Sequence, residues 1–194
     1  MSIMDGHDSP ISMNKGSTTI AKALVSEEGG HWPVPEGTIL ASGMKRTVSF
    51  VLDTVMVNSI LLVLSGGELI NAWNLTLWAS IDFHYALAML FILLVSHWLY
   101  WKYTGIFYSR SLGQKLMGLA VLAEDGSEMT NKMWEKRALR KLIYLIFPFS
   151  IYFGSYDLAR ISQRHTHQSN IDLFVGSIVA QANSLPPANR KHIK

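Results

Sequence analysis

Asp53 lies midway along an apolar run covering residues 47–65. A hydrocarbon core about 30 Å thick takes about 20 helical residues, so this run is long enough to cross a bilayer. A carboxylate at that depth costs roughly 2.5–3.5 kcal/mol on insertion scales. It is a functional-site candidate by default, with a partner to be found elsewhere in the chain. Arg46 stands seven positions earlier, at the edge of the run. The first reading is an integral membrane protein with an ionisable group in its core.

The rest of the composition agrees. Charged residues make up 16% of the 194-residue chain, against roughly 25% in soluble domains. The length suits one compact unit. The absence of cysteine excludes disulfides, thiolate metal sites and cysteine nucleophiles. The first 30 residues show no basic-then-apolar leader, so the first membrane helix is expected to direct insertion.

Three regions follow. Residues 1–42 are rich in Ser, Gly, Asp, Pro and Thr and read as a disordered tail, with a short helix near 20–25. Residues 43–182 form the membrane domain, with apolar segments at about 45–65, 83–103 and 137–160. Residues 183–194, with Pro186-Pro187 and a basic end, read as a second disordered tail. Lys45 and Arg46 precede the first apolar segment, and Gly66-Gly67 ends it. Residues 68–82 carry no Lys or Arg, and Trp73 and Trp78 there look like interfacial anchors. The second segment closes on Trp98, Tyr100, Trp101, Lys102 and Tyr103, with Arg110 and Lys115 beyond. The positive-inside rule then predicts a helical hairpin with both ends, and the N-terminus, in the cytoplasm. The expected location is the plasma membrane.

The third segment is ambiguous. Its apolar part, 142–156, contains Pro148 and covers only about 22 Å as a helix. With its basic flanks it could span, leaving the C-terminus outside. Alternatively it kinks at Pro148 and returns as a re-entrant hairpin, leaving the C-terminus inside. Residues 119–122, before the turn signal Asp125-Gly126, read as a strand. Residues 174–180 read as another. Their pairing requires one side of the membrane, which favours the re-entrant form. The expected class is a mainly α polytopic membrane protein: two transmembrane helices, a third spanning or re-entrant segment, and a small two-strand cytoplasmic module.

Three blocks resemble the RDD family of membrane proteins, named for one Arg and two Asp residues. Arg46-Thr47-Val48-Ser49-Phe50-Val51-Leu52-Asp53 has the family's Arg and Asp seven apart. Ser111-Leu112-Gly113-Gln114-Lys115-Leu116-Met117-Gly118-Leu119-Ala120-Val121 is similar to the block that follows the second helix. Asp172-Leu173-Phe174-Val175-Gly176-Ser177-Ile178-Val179 resembles the closing block, and Arg140 matches a recurrent family arginine. Departures are mild: Ser49 for Ala, Ser177 for Thr, Gln114 between Gly113 and Lys115, and Asn170-Ile171 for Leu-His. The resemblance covers roughly residues 44–182. It implies three apolar segments and a small cytoplasmic module. For function it implies either cation–proton exchange or assembly within larger membrane complexes.

The residues themselves weigh on these choices. Arg46 and Asp53 share a helix face but lie about 10 Å apart, and Arg46 leans away toward the interface. A partner for Asp53 is therefore sought among Arg140, Arg137 and His97, with Asn58 adding polarity. As structure, Asp53 is a buried acid that fixes helix packing. As a transport site it would need a water path, and two spans enclose one only in a homo-oligomer. Asp172 precedes Gly176 and reads as a cap, or as an ion-pair partner of Lys115 or Arg140. Gly113 and Gly118 lack the strand-before-helix context of a phosphate loop and read as turns or close contacts. His165 and His167 lack a third ligand. No catalytic constellation, metal, cofactor or nucleic-acid surface is expected. The leading expectation is a non-enzymatic membrane component in the lipid bilayer, acting through helix–helix contacts as a homo-oligomer or in a larger complex. The alternative is a secondary transporter exchanging small cations for protons.

Overall fold

The computed structural model describes residues 37–146, 148–164, 167–190 and 193. Two helices are long and apolar enough to cross a membrane: α1, Gly43–Leu64, and α3, Phe83–Tyr108. Ser42 caps α1 by accepting the Lys45 N–H. Beyond its end Gly66 and Gly67 take φ of 61° and 96°, values that glycine adopts without strain. A 3₁₀ turn, Glu68–Trp73, and a short α2, Leu75–Trp78, lead into α3. α3 runs five residues beyond the expected 103, to Tyr108. In α1 the buried residues are Ser49, Asp53 and Val57. In α3 they include Leu93, His97, Trp101 and Gly105. Steps of four keep each set on one helix face, so each span buries a narrow seam and leaves its other faces apolar and uncovered.

After α3 come α4, Leu112–Leu116, and β1, Leu119–Ala123. α5, Asn131–Lys141, continues through a 3₁₀ turn to Leu145. α6, Phe149–Gln163, follows Pro148. α7, Asn170–Val175, ends at Gly176 in the left-handed conformation and leads into β2, Ser177–Gln181. β1 and β2 pair antiparallel, with Leu119 opposite Gln181 and Ala123 opposite Ser177.

The third apolar segment is not a straight helix. The chain bends by 119° between its two helical halves, at the proline, where a continuous helix would lose a hydrogen bond and clash. β1 and β2 flank the segment and hydrogen-bond to each other, which brings its two ends together. The straight, tilted span is not adopted; the bent pair has the form of a broken span or a re-entrant loop.

Both outer boundaries of the membrane domain shift. Residues 39–41, expected in the N-terminal tail, dock on the sheet: Ala41 N–H donates to Val179 O at 2.8 Å, and Gln181 N–H to Ile39 O at 2.8 Å. The helix expected near 20–25 lies outside the described residues. At the other end, residues 183–190 are not a loose tail. Leu185 is buried against Leu40, Ala120, Leu122, Ile178 and Ala180, and α8, Pro187–Arg190, follows. The reason is that the small sheet is buried on both faces. Leu119, Val121 and Val179 face Trp134, Ile171 and Val175, while Ala120, Leu122 and Ile178 face the opposite way. A continuous apolar strand needs cover on each side, and the C-terminal segment supplies the second. Leu185→Ala should cost roughly 2–5 kcal/mol, read as a lower thermal-unfolding midpoint in detergent.

Candidate functional site

The two aspartates singled out in the sequence form two separate centres. Asp53 lies within α1, facing α3 and the N-terminus of α4. Its Oδ1 accepts the Tyr100 hydroxyl at 2.7 Å and the Gly113 N–H at 2.7 Å, and its Oδ2 accepts the Ser111 hydroxyl. It is 1% exposed. Among the described residues no cation lies within ion-pair distance of it. The expected pairing with Arg140, Arg137 or His97 is therefore corrected: its three donors are neutral. One of them follows from helix physics. The first N–H groups of any helix lack intrahelical partners, and the Gly113 N–H in the first turn of α4 finds the carboxylate. The neighbouring Leu112 N–H donates to the Tyr100 oxygen at 3.1 Å. Ser111 and Gln114 close the α4 start as a capping box.

Gly113 makes this contact possible. A Cβ there would lie 2.2 Å from the Ser49 carbonyl oxygen and 2.9 Å from Asp53 Oδ1. Of the three motif glycines, Gly113 thus serves close approach. Gly118 and Gly176 instead take positive φ, 65° and 72°, at the turn before β1 and at the end of α7.

Asp172 forms the second centre, at the sheet. It caps α7 in a reciprocal box with Ser169, as the capping reading expects. It also pairs with two guanidiniums, those of Arg46 and Arg137. Lys115 and Arg140 are not its partners. Arg140 is exposed and stacks on Phe174 at 3.6 Å from the ring centroid, so the arginine that serves this acid is the one a turn earlier in α5. Arg46 also donates to Ala41 O at 3.2 Å and Val179 O at 3.3 Å. Arg137 also donates to the Ser177 hydroxyl at 2.7 Å. One carboxylate thereby ties α1, α5 and α7 together, and its two arginines reach β2.

Burial alone would push the Asp172 carboxyl up. Arg137 and Arg46, with the Ser169 N–H, more than offset that and hold it well below the usual carboxylate range. A depressed folded-state pKa adds stability that is present above the unfolded value, about 3.9, and is lost as pH falls through the folded one. The unfolding midpoint should therefore drop steeply below about pH 4 in the parent. In Asp172→Asn it should start lower and lose that part of the slope.

A third buried acid, Asp157, was missed. It accepts the Tyr144 hydroxyl and the Asn170 side-chain N–H, the latter at 2.6 Å, and so pins α6 to the start of α7. The signal that marks Asp53, a lone acid inside an apolar stretch, also marks Asp157. His97 is fully buried in α3, with Nδ1 2.9 Å from Leu93 O. His97 Nε2, Thr54 Oγ1 and Asn58 Oδ1 have no partner among the described residues. No group of three or more His, Cys, Asp or Glu residues placed to hold a metal occurs among the described residues. His165 of the histidine pair lies outside them.

No curated protein and no solved structure matches this chain. Residues 40–176 match the RDD family. That stretch contains Arg46, Asp53 and Asp172 and stops at Gly176, so both acid centres fall inside it. With its two apolar spans, this chain is an integral membrane protein that belongs to the RDD family.

Proposed function

We propose that the protein is a non-enzymatic membrane component that acts through helix–helix contacts, either with its own copies or within a larger membrane complex. The observation that carries this reading is the saturation of Asp53. Its oxygens take three fixed donors from within the chain, as suits a packing brace between α1, α3 and α4. The uncovered faces of α1 and α3 supply contact surface: only 17% of each span's most apolar window is buried, and Val55, Ile60, Phe91 and Ile92 face outward. Cation–proton exchange is the second reading. It is favoured by the unpartnered polar atoms of Thr54, Asn58 and His97 at membrane depth.

Proton movement driven by a cation gradient in proteoliposomes separates the two. The scaffold reading expects no flux in the parent and an unchanged oligomeric state in Asp53→Asn. Flux in the parent that disappears in a folded Asp53→Asn protein would establish the exchanger.

The proposed setting is the plasma membrane, with the sheet and the N-terminus in the cytoplasm. Lys45, Arg46, Lys102, Arg110 and Lys115 surround the sheet end of the hairpin, and residues 68–82 at the far end carry no Lys or Arg. The cysteine-free chain makes the test direct. In intact cells an impermeant maleimide should label Ser80→Cys, and should reach Asn183→Cys only after lysis. The reverse pattern would invert the orientation.

A further inference from the structure

A partly open cavity of about 350 Å³ lies between the first turns of α1, the end of α5 and α6, within the size range of small-molecule sites. Much of its wall is apolar, including Phe50, Val51, Ile151 and Leu158. Three cations also line it: Arg46, Arg137 and, one turn further along α5, Lys141. Arg46 and Arg137 share the single carboxylate of Asp172. The carboxylate in the lining, Asp157, is engaged by Tyr144 and Asn170. Lys141 has no carboxylate within ion-pair distance among the described residues, and its ammonium sits 5.1 Å from the Trp101 ring centroid. The buried Nε of Arg137 has no acceptor among the described residues. The cavity therefore combines an excess of positive charge with an apolar wall.

Arg46 to Val51 occupy roughly the first 4–12 Å of α1, so the cavity lies beside one end of an apolar span. Gly154, in mid-α6, also lines the cavity, and a Cβ added there meets nothing within 4 Å. A glycine inside a helix costs about 1 kcal/mol relative to alanine, and here its missing side chain keeps the volume open.

We propose that this cavity binds one phospholipid with an anionic headgroup, drawn from the surrounding bilayer. The headgroup oxygens pair with Lys141, and the start of an acyl chain lies along Phe50, Val51, Ile151 and Leu158. Charge complementarity selects an anionic headgroup over a zwitterionic one, and the apolar wall selects a lipid over a free anion.

The test is native mass spectrometry of the purified full chain from micelles containing equal amounts of phosphatidylglycerol and phosphatidylcholine. One phosphatidylglycerol retained per chain is expected, at least about tenfold over phosphatidylcholine. Lys141→Gln should lose that retention by removing the charge. Gly154→Leu should lose it by filling the volume while leaving every ion pair in place. If one variant fails to fold, the other decides. Equal retention of the two lipids overturns the proposal, as does undiminished retention in a folded Gly154→Leu or Lys141→Gln protein. Inorganic phosphate should neither displace the lipid nor raise the unfolding midpoint. If phosphate does both, the site is one for a soluble anion and the lipid assignment falls.

Discussion

Asp172→Ala should be the most damaging single substitution at the charged centre, costing about 3–5 kcal/mol, enough to abolish a stable fold in detergent. The acid is fully buried and serves two guanidiniums. Its removal leaves Arg46 and Arg137 close together without the carboxylate they share and removes one half of the α7 capping box. An unpaired charge in a low-dielectric interior costs far more than an intact pair contributes. Asp172→Asn should be milder, because an amide oxygen can still accept the Ser169 N–H. Arg137→Met should be milder again, since Arg46 keeps its partner and the Met chain fills part of the vacated volume. Because both remove the same pairing, Asp172→Ala with Arg137→Met should cost less than the sum of the two singles. Unfolding midpoints of the three singles and the double test this order. Strict additivity would mean that Asp172 and Arg137 are not energetically coupled.

These two centres show what a sequence exposes and what it hides. Arg46 and Asp53 stand out because a charge beside or within an apolar run needs an explanation, and Asp172 stands out through the closing block of the family pattern; all three side chains are largely or fully buried. The paired strands were legible as short apolar runs near turn residues, and Pro148 marked the bend. Partner identity was not legible. Arg137 and Arg140 are three positions apart on one helix, yet one is buried on Asp172 and the other is exposed on Phe174. Nothing local distinguishes them, because the choice depends on how α5 is rotated against α7. The donors to Asp53 were hidden for another reason. One is a backbone N–H, which every residue but proline carries, and the others are hydroxyls from elements 47 and 58 residues away. A buried carboxylate does not need a cationic partner, because the N–H groups of a helix N-terminus serve as well. Residues 183–190 read as part of a tail because Pro186-Pro187 blocks regular structure and the last residues are basic. The need for cover arises only once the sheet is known to be buried on both faces.

Gly113→Ala should reproduce the loss of Asp53 without touching the acid. The new methyl would lie 2.2 Å from the Ser49 carbonyl oxygen, far inside contact distance, and both atoms belong to backbones that cannot swing aside. α4 must move off α1, and the Gly113 N–H and the Ser111 hydroxyl then lose their shared acceptor, while the Tyr100 hydroxyl on α3 keeps it. Asp53→Leu undocks α4 from the other side, leaving three donors without the carboxylate. Each unsatisfied buried group costs roughly 1–3 kcal/mol. The two hydroxyls can turn toward other acceptors but the backbone N–H cannot, so each variant should lose roughly 1–3 kcal/mol through that group alone. Asp53→Asn separates charge from hydrogen bonding. Its Oδ1 can still take the Tyr100 and Gly113 donors, and its amide nitrogen can donate to a rotated Ser111 hydroxyl, so the cost should stay near 1 kcal/mol. The Asp53→Leu, Gly113→Ala double should be little worse than either single, because α4 can undock only once. The readouts are the unfolding midpoint and protease sensitivity of residues 109–118, which undocking exposes. A Gly113→Ala protein with the parent's midpoint and protection would show that α4 does not rest on α1, and the structural account of Asp53 would fall with it.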